Sequence, residues 1–265
     1  MKVQVEVLLP HQLKELKLSM MVKHYPSVVR QAKESGLSYE EFLLELTEVE
    51  LQMRIENRLK RRVREARFPL MKTLEGFAYE AAPGLDKRLI RDLVSGQYIH
   101  EQKNIIFMGK SGTGKSHLSI GLGIEACRQG VSTRFVTGSA LANELIESHD
   151  EKRLSRVVQR YSQYRLLIVD ELGYIPFSKQ GAELLFQVFS DRHERGSTII
   201  TTNLGFADWT QIFGDPTLTA ALLDRLTHKA HIITCSWESY RFQESLKHKQ
   251  RNETSKKDKE DGAKE

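Results

Sequence analysis

Residues 109–116 read Gly-Lys-Ser-Gly-Thr-Gly-Lys-Ser, and few stretches of this length restrict a fold so tightly. They fit the spacing G-x-x-x-x-G-K-[ST], in which backbone N–H groups turn inward around the phosphates of a nucleoside triphosphate. The flanks agree with that reading. Residues 104–108 form a short apolar run of strand type, and 117–128 carry a helical pattern that stops at Gly130. A strand feeding the loop and a helix leaving it set the positive end of the helix against the phosphates. Gly109, Lys110, Ser111, Gly112, Thr113 and Gly114 are then expected to wrap the phosphates. Lys115 is expected to reach the β- and γ-phosphates, and the Ser116 hydroxyl to take a place on Mg²⁺.

A second stretch supplies carboxylates. Arg165-Leu166-Leu167-Ile168-Val169-Asp170-Glu171 is an apolar strand ending in two acids. At such a tip, in a chain with a phosphate loop, Asp170 can hold Mg²⁺ and Glu171 can polarise an attacking water. The paired carboxylates favour ATP hydrolysis over a GTPase-type switch. Thr198-Ile199-Ile200-Thr201-Thr202-Asn203 closes on polar residues too. If its strand lies beside that of Ile105, Asn203 can orient the water or touch the γ-phosphate; otherwise it is a turn residue. Arg225, on a helix expected to start near Pro216, is either an arginine finger acting in a neighbouring subunit or a helix-surface ion pair. Arg192, Arg195 and Arg241 are its rivals.

The 265 residues suit one large domain or two small ones. Five apolar stretches (104–108, 133–137, 165–169, 198–201 and 231–234) alternate with amphipathic helices, which predicts an α/β fold with a parallel five-stranded sheet covered on both faces. The first seventy residues are helical in pattern. Leu13, Leu16 and Met20 fall at helical spacing, Gly36 stops a second run, and Ser38 with Glu41 forms a capping box that opens a helix to about Arg67. The expected divisions are 1–69, a helical domain; 70–246, with an irregular linker at 70–84; and 247–265, a charged disordered tail. Two cysteines at no metal spacing indicate neither a disulfide framework nor a zinc site, and both read as buried small hydrophobes. No segment has the length of a membrane span, and a reducing cytoplasm fits this composition.

The net charge of +5 leans toward a polyanion, and its distribution says more. Between 54 and 67 lie Arg54, Arg58, Lys60, Arg61, Arg62, Arg64 and Arg67 against Glu56 and Glu65. Either this is a solvated helix face, or it contacts the phosphates of a nucleic acid. Arg153, Arg156 and Arg160, at helical spacing, offer the same two readings.

Lys72-Thr73-Leu74-Glu75-Gly76-Phe77, the loop ending in Gly114-Lys115-Ser116-His117-Leu118, Val169-Asp170-Glu171-Leu172-Gly173-Tyr174 and Asp224-Arg225-Leu226 together resemble the IstB family. These are helper ATPases of bacterial insertion sequences, of AAA+ type and related to the DnaC helicase loaders. The resemblance implies an ATP-dependent homo-oligomer that binds and bends double-stranded DNA and stimulates a partner transposase. It further implies Asp170 and Glu171 as the hydrolytic pair, Asn203 as first sensor and Arg225 acting in trans. The family's helical lid is small or absent, and the short stretch 237–250 agrees; Arg241 is the sole nearby candidate for a second sensor arginine. The alternative is a helicase loader with the same ATPase core.

Overall fold

The computed structural model describes residues 2–240; Arg241 and the expected tail at 247–265 lie outside the described residues. The chain divides into two compact units, Met1–Arg61 and Arg62–Glu265, the cut falling inside a helix ahead of the Phe68-Pro69 break.

Unit one is built from α1 (Lys2–Glu15), α2 (Ser19–Ser35) and the first part of α3 (Tyr39–Ala66). Leu13, Leu16 and Met20 do not share a helix. The chain breaks at Lys17, which is left-handed at φ 57°, and Leu16 is 66% exposed. Polar side chains of α3 serve the backbone opened there. Glu50 accepts from the N–H groups of Met20 (2.8 Å) and Met21 (3.3 Å), while Arg54 Nη2 donates to the Lys17 carbonyl at 3.0 Å. Burial pushes the Glu50 carboxyl up, but Arg54 at 2.9 Å and the two amides outweigh it and hold the pKa below its ordinary value. Gly36, at φ 66°, ends α2. The capping box forms as its spacing requires: Ser38 N–H donates to Glu41 Oε2 at 2.7 Å, and Glu41 N–H to Ser38 Oγ at 3.2 Å.

Unit two is a parallel sheet of β1 (Asn104–Gly109), β2 (Thr133–Thr137), β3 (Leu166–Asp170), β4 (Ser197–Thr202) and β5 (Ala230–Cys235), in the order β2-β3-β4-β1-β5. All five expected strands are present. Side chains alternate between two apolar layers, as the twofold period of a strand demands. Ile105, Phe107, Ile168 and Ile199 face one layer, together with α4 (Lys87–Val94), α5 (Gln97–His100) and α6 (Lys115–Arg128). Ile106, Leu167, Val169 and Ile200 face the other, built with α7 (Gly138–Asp150), α8 (Leu154–Gln163), α9 (Lys179–Arg192), α10 (Trp209–Phe213) and α11 (Pro216–Thr227). The stretch 70–84 is not a loose linker. Apart from a 3-10 turn at Tyr79–Ala81 it lacks regular structure, yet Leu74, Phe77 and Ala82 are buried in the first layer. Cys127 and Cys235 are buried and unpaired as disulfides. Among the described residues no helix is long and apolar enough to cross a membrane.

Arg192, at the end of α9, is fully buried among neutral acceptors. It donates to the carbonyls of Tyr161 (2.6 Å), Tyr164 (2.7 Å) and Ser197 (2.7 Å) and to Thr198 Oγ1 (3.2 Å). Burial lowers its pKa to about 10, so it stays charged near neutrality. It thereby clamps the end of α8 to the start of β4. Arg192→Leu removes the guanidinium donor from three carbonyls and a hydroxyl and is expected to cost about 3–5 kcal/mol in urea denaturation. A loss below about 1 kcal/mol is incompatible with the clamp.

Candidate nucleotide site

The carboxyl end of β1 runs straight into the loop. Gly109 is positive in φ (148°), and a Cβ there would lie 2.2 Å from the Cys235 carbonyl oxygen, so β5 admits glycine at this point. Gly114, at φ 90°, caps the N-terminus of α6, whose first residues are Lys115 and Ser116. Beside the loop opens a cleft of about 610 Å³. Ser111 to Ser116 line its phosphate side, Asp170, Glu171 and Thr201 its floor, and Phe77, Ala78, Ile120, Trp237 and Tyr240 a largely apolar wall. Two residues of that wall also fix the loop. Trp237 Nε1–H donates to the Thr113 carbonyl at 2.8 Å, and Tyr240 N–H to that of Gly112 at 3.0 Å.

Lys115 is buried, and its ammonium donates to the carbonyls of Gly109 (2.6 Å) and Lys110 (2.8 Å). Both acceptors are neutral, and a charged acceptor in the cleft would compete with them for the ammonium. Asp170 is 6% exposed at the tip of β3. Thr201 Oγ1–H donates to Asp170 Oδ1 at 2.5 Å, and Thr201 Oγ1 in turn accepts from Glu171 N–H at 2.9 Å. One hydroxyl thus fixes both carboxylate-bearing residues. Glu171 is left-handed at φ 56°, which turns the chain sharply and leaves its side chain exposed at the cleft.

Sequence reasoning passed over Thr201. Within Thr-Ile-Ile-Thr-Thr it reads as a β-former, and only the β3–β4 pairing of Val169 with Ile200 brings it beside Asp170. Asn203 lies just past β4, which does flank β1, but it is exposed and Thr201 rather than Asn203 lines the cleft. Arg225 is away from this chain's own cleft. Its Nη1 donates to the Ala221 carbonyl at 2.8 Å, and its guanidinium lies 4.8 Å from the Phe186 ring centroid.

The basic residues divide. Arg54 is committed to Glu50 and Lys17, and Arg58 Nε donates to the Arg54 carbonyl at 3.3 Å. Arg61 is exposed, and Arg62 is half-buried alongside Gly130. Along α8, Arg153 pairs with Glu151 and Arg160 with Glu144 (2.5 Å), Arg160 lying over the Tyr161 ring. Tyr161 also donates to Glu144 at 2.5 Å, and burial followed by that carboxylate pushes its hydroxyl up to about 12. Arg156 is exposed between them.

A parallel sheet in this order, with a phosphate loop after β1 and acids at the tip of β3, defines an AAA+ P-loop nucleotide-binding domain. Solved structures share the fold. The chain is similar to AMPPCP-bound DnaA from Aquifex aeolicus, with a TM-score of 0.50 and 20% identity over 68% of this chain and 56% of that one. It is similar also to DnaI, with a TM-score of 0.52 and 16% identity over 66% and 93%. A family model described as IstB-like ATP binding protein matches residues 11–248, and the chain belongs to that family. Among its relatives, the putative ATP-binding protein of insertion sequence IS21 from Pseudomonas aeruginosa is 37% identical over 92% of this chain and 91% of its own length. That of IS232 from Bacillus thuringiensis subsp. berliner is 38% identical over 88% and 93%. Membership of this family supports ATP binding.

Thr201→Val keeps shape and removes the bridging hydroxyl. It is expected to lower any ATP turnover by about 10- to 100-fold while ATP affinity moves by less than about fivefold. Steady-state phosphate release and equilibrium nucleotide binding measure the two effects, and unchanged turnover excludes the bridge as a catalytic support.

Proposed function

We infer that this chain is a Mg²⁺-dependent ATPase that assembles through its ATP sites on double-stranded DNA, remodels it and recruits a transposase encoded by the same insertion sequence. The observation that carries the enzymatic part is the convergence of Lys115, Ser116, Asp170, Glu171 and Thr201 on one cleft, with Arg225 outside it. Ser116 and Asp170 both border the cleft, and two oxygen donors beside triphosphate oxygens suit a Mg²⁺ ion. When bound, that ion neutralises charge on the β- and γ-phosphates.

The protein's own groups do the rest. Lys115 turns from the Gly109 and Lys110 carbonyls to the phosphates. Glu171 orients the water for in-line attack, and the Thr201 hydroxyl keeps Asp170 and the Glu171 backbone in register. Asn203 is proposed to meet the water or γ-phosphate once the site closes. Arg225 is proposed to enter a neighbour's cleft, which makes the oligomer the active form. The excess of arginine at the end of α3 supports duplex DNA as partner, and the insertion-sequence context of the relatives supports the transposase.

Lys115→Ala is expected to abolish ATP-dependent assembly on duplex DNA, and Glu171→Gln to retain assembly with turnover lowered about 10²-fold or more. Sedimentation with DNA and phosphate release report the two. Normal hydrolysis by Glu171→Gln removes Glu171 from its role. Arg225→Ala is expected to cost about 10³-fold in turnover. Mixing it with Lys115→Ala, which donates an intact Arg225, is expected to restore part of that rate. No recovery in the mixture argues against action in trans.

A further inference from the structure

Residues 68–77 join the basic end of α3 to the phosphate loop, and glycines of the loop and α6 receive them. A Cβ on Gly123 would lie 2.9 Å from the Phe68 ring, one on Gly121 2.6 Å from Leu74 Cδ2, and one on Gly114 2.6 Å from Phe77 Cε2. Three apolar side chains of this strap therefore rest on bare backbone. A polar contact fastens it as well. His117 Nε2 lies 2.8 Å from the Thr73 carbonyl oxygen, and because a carbonyl only accepts, the ring nitrogen donates. The imidazole also stands edge-on to Phe77, with centroids 5.3 Å apart.

His117 directly follows Ser116 in the first turn of α6, and like Ser116 it borders the cleft. When Lys115 turns to a triphosphate, the Gly109 and Lys110 carbonyls lose its ammonium, and with those two hydrogen bonds gone the loop backbone is free to shift. At its other end the strap is equally tight. Ala66 is fully buried, the Glu65 carbonyl accepts from Arg134 Nη1 at 3.4 Å, and Arg67 takes a left-handed turn at φ 58°. Close-packed contacts pass on such displacements instead of absorbing them.

We propose that His117 is a positioning residue that latches the 68–77 strap to the phosphate loop, relaying ATP occupancy to Arg62, Arg64 and Arg67 and setting their grip on duplex DNA. The DNA half of this relay rests on the function proposed above; the latch does not.

The test uses the full chain and a non-hydrolysable ATP analogue with Mg²⁺. In wild-type protein the analogue is expected to change hydrogen exchange at the amides of Phe77 and Tyr79, which now bond to Leu74 and Phe77 carbonyls at 3.2 and 3.0 Å, and in the last turn of α3. His117→Ala is expected to confine the change to the loop, and His117→Gln, which keeps a side-chain N–H donor, to restore the spread. Duplex affinity is expected to rise about tenfold with the analogue in wild type and less than about twofold in His117→Ala, with analogue affinity within about fivefold. A full relay in His117→Ala overturns the latch. If that variant does not fold, wild type decides: Phe77 and Tyr79 amides indifferent to the analogue overturn it. Exchange that spreads as expected, without duplex binding in either state, upholds the latch and overturns the DNA reading.

Discussion

Backbone packed directly against backbone and side chain at the phosphate loop is the constraint on which the rest of this structure depends. Gly109 sits against the Cys235 carbonyl, Gly114 beneath the Phe77 ring, and the carbonyls of Gly112 and Thr113 accept from Tyr240 and Trp237. The loop is thus gripped from the stretch before the sheet and from the stretch after β5, segments far apart in sequence. That grip orders the loop with the cleft empty, which is how a short glycine-rich segment avoids a large ordering cost on binding.

The sheet order does the remaining positioning. Because β4 lies between β3 and β1, the acids of β3 and the hydroxyl of Thr201 meet at the carboxyl ends, where loops diverge and a ligand can enter. The strands, the phosphate loop, the acid pair and the Ser38–Glu41 box were legible in sequence, since each depends on local spacing. Thr201 was not, because its role comes from a neighbour strand and not from its own pattern. The same holds for Leu74 and Phe77: a stretch with Gly76, Pro83 and Gly84 reads as irregular, and nothing local says that glycines of α6 will receive it. Leu16 shows the opposite failure. Its spacing is helical, but the polar capping by Glu50 and Arg54 supports a chain break there.

Charge excess also proved a blunt guide to individual residues. Arg54 serves the fold of the first unit, and Arg153 and Arg160 are paired with glutamates. Exposed pairs of this kind are worth little and open readily, so they do not close α8 to a polyanion. They do lower its standing relative to the end of α3, where arginines outnumber acids.

Glu171 bears one more consequence. A left-handed backbone at φ 56° suits glycine, asparagine and aspartate best and excludes β-branched residues. The position is therefore filtered by conformation and, in the role proposed for it, by the need for a carboxylate that reaches the cleft. Few of the twenty amino acids pass both filters. Asp170 is filtered differently, by burial and by its bond to Thr201 on an ordinary strand backbone.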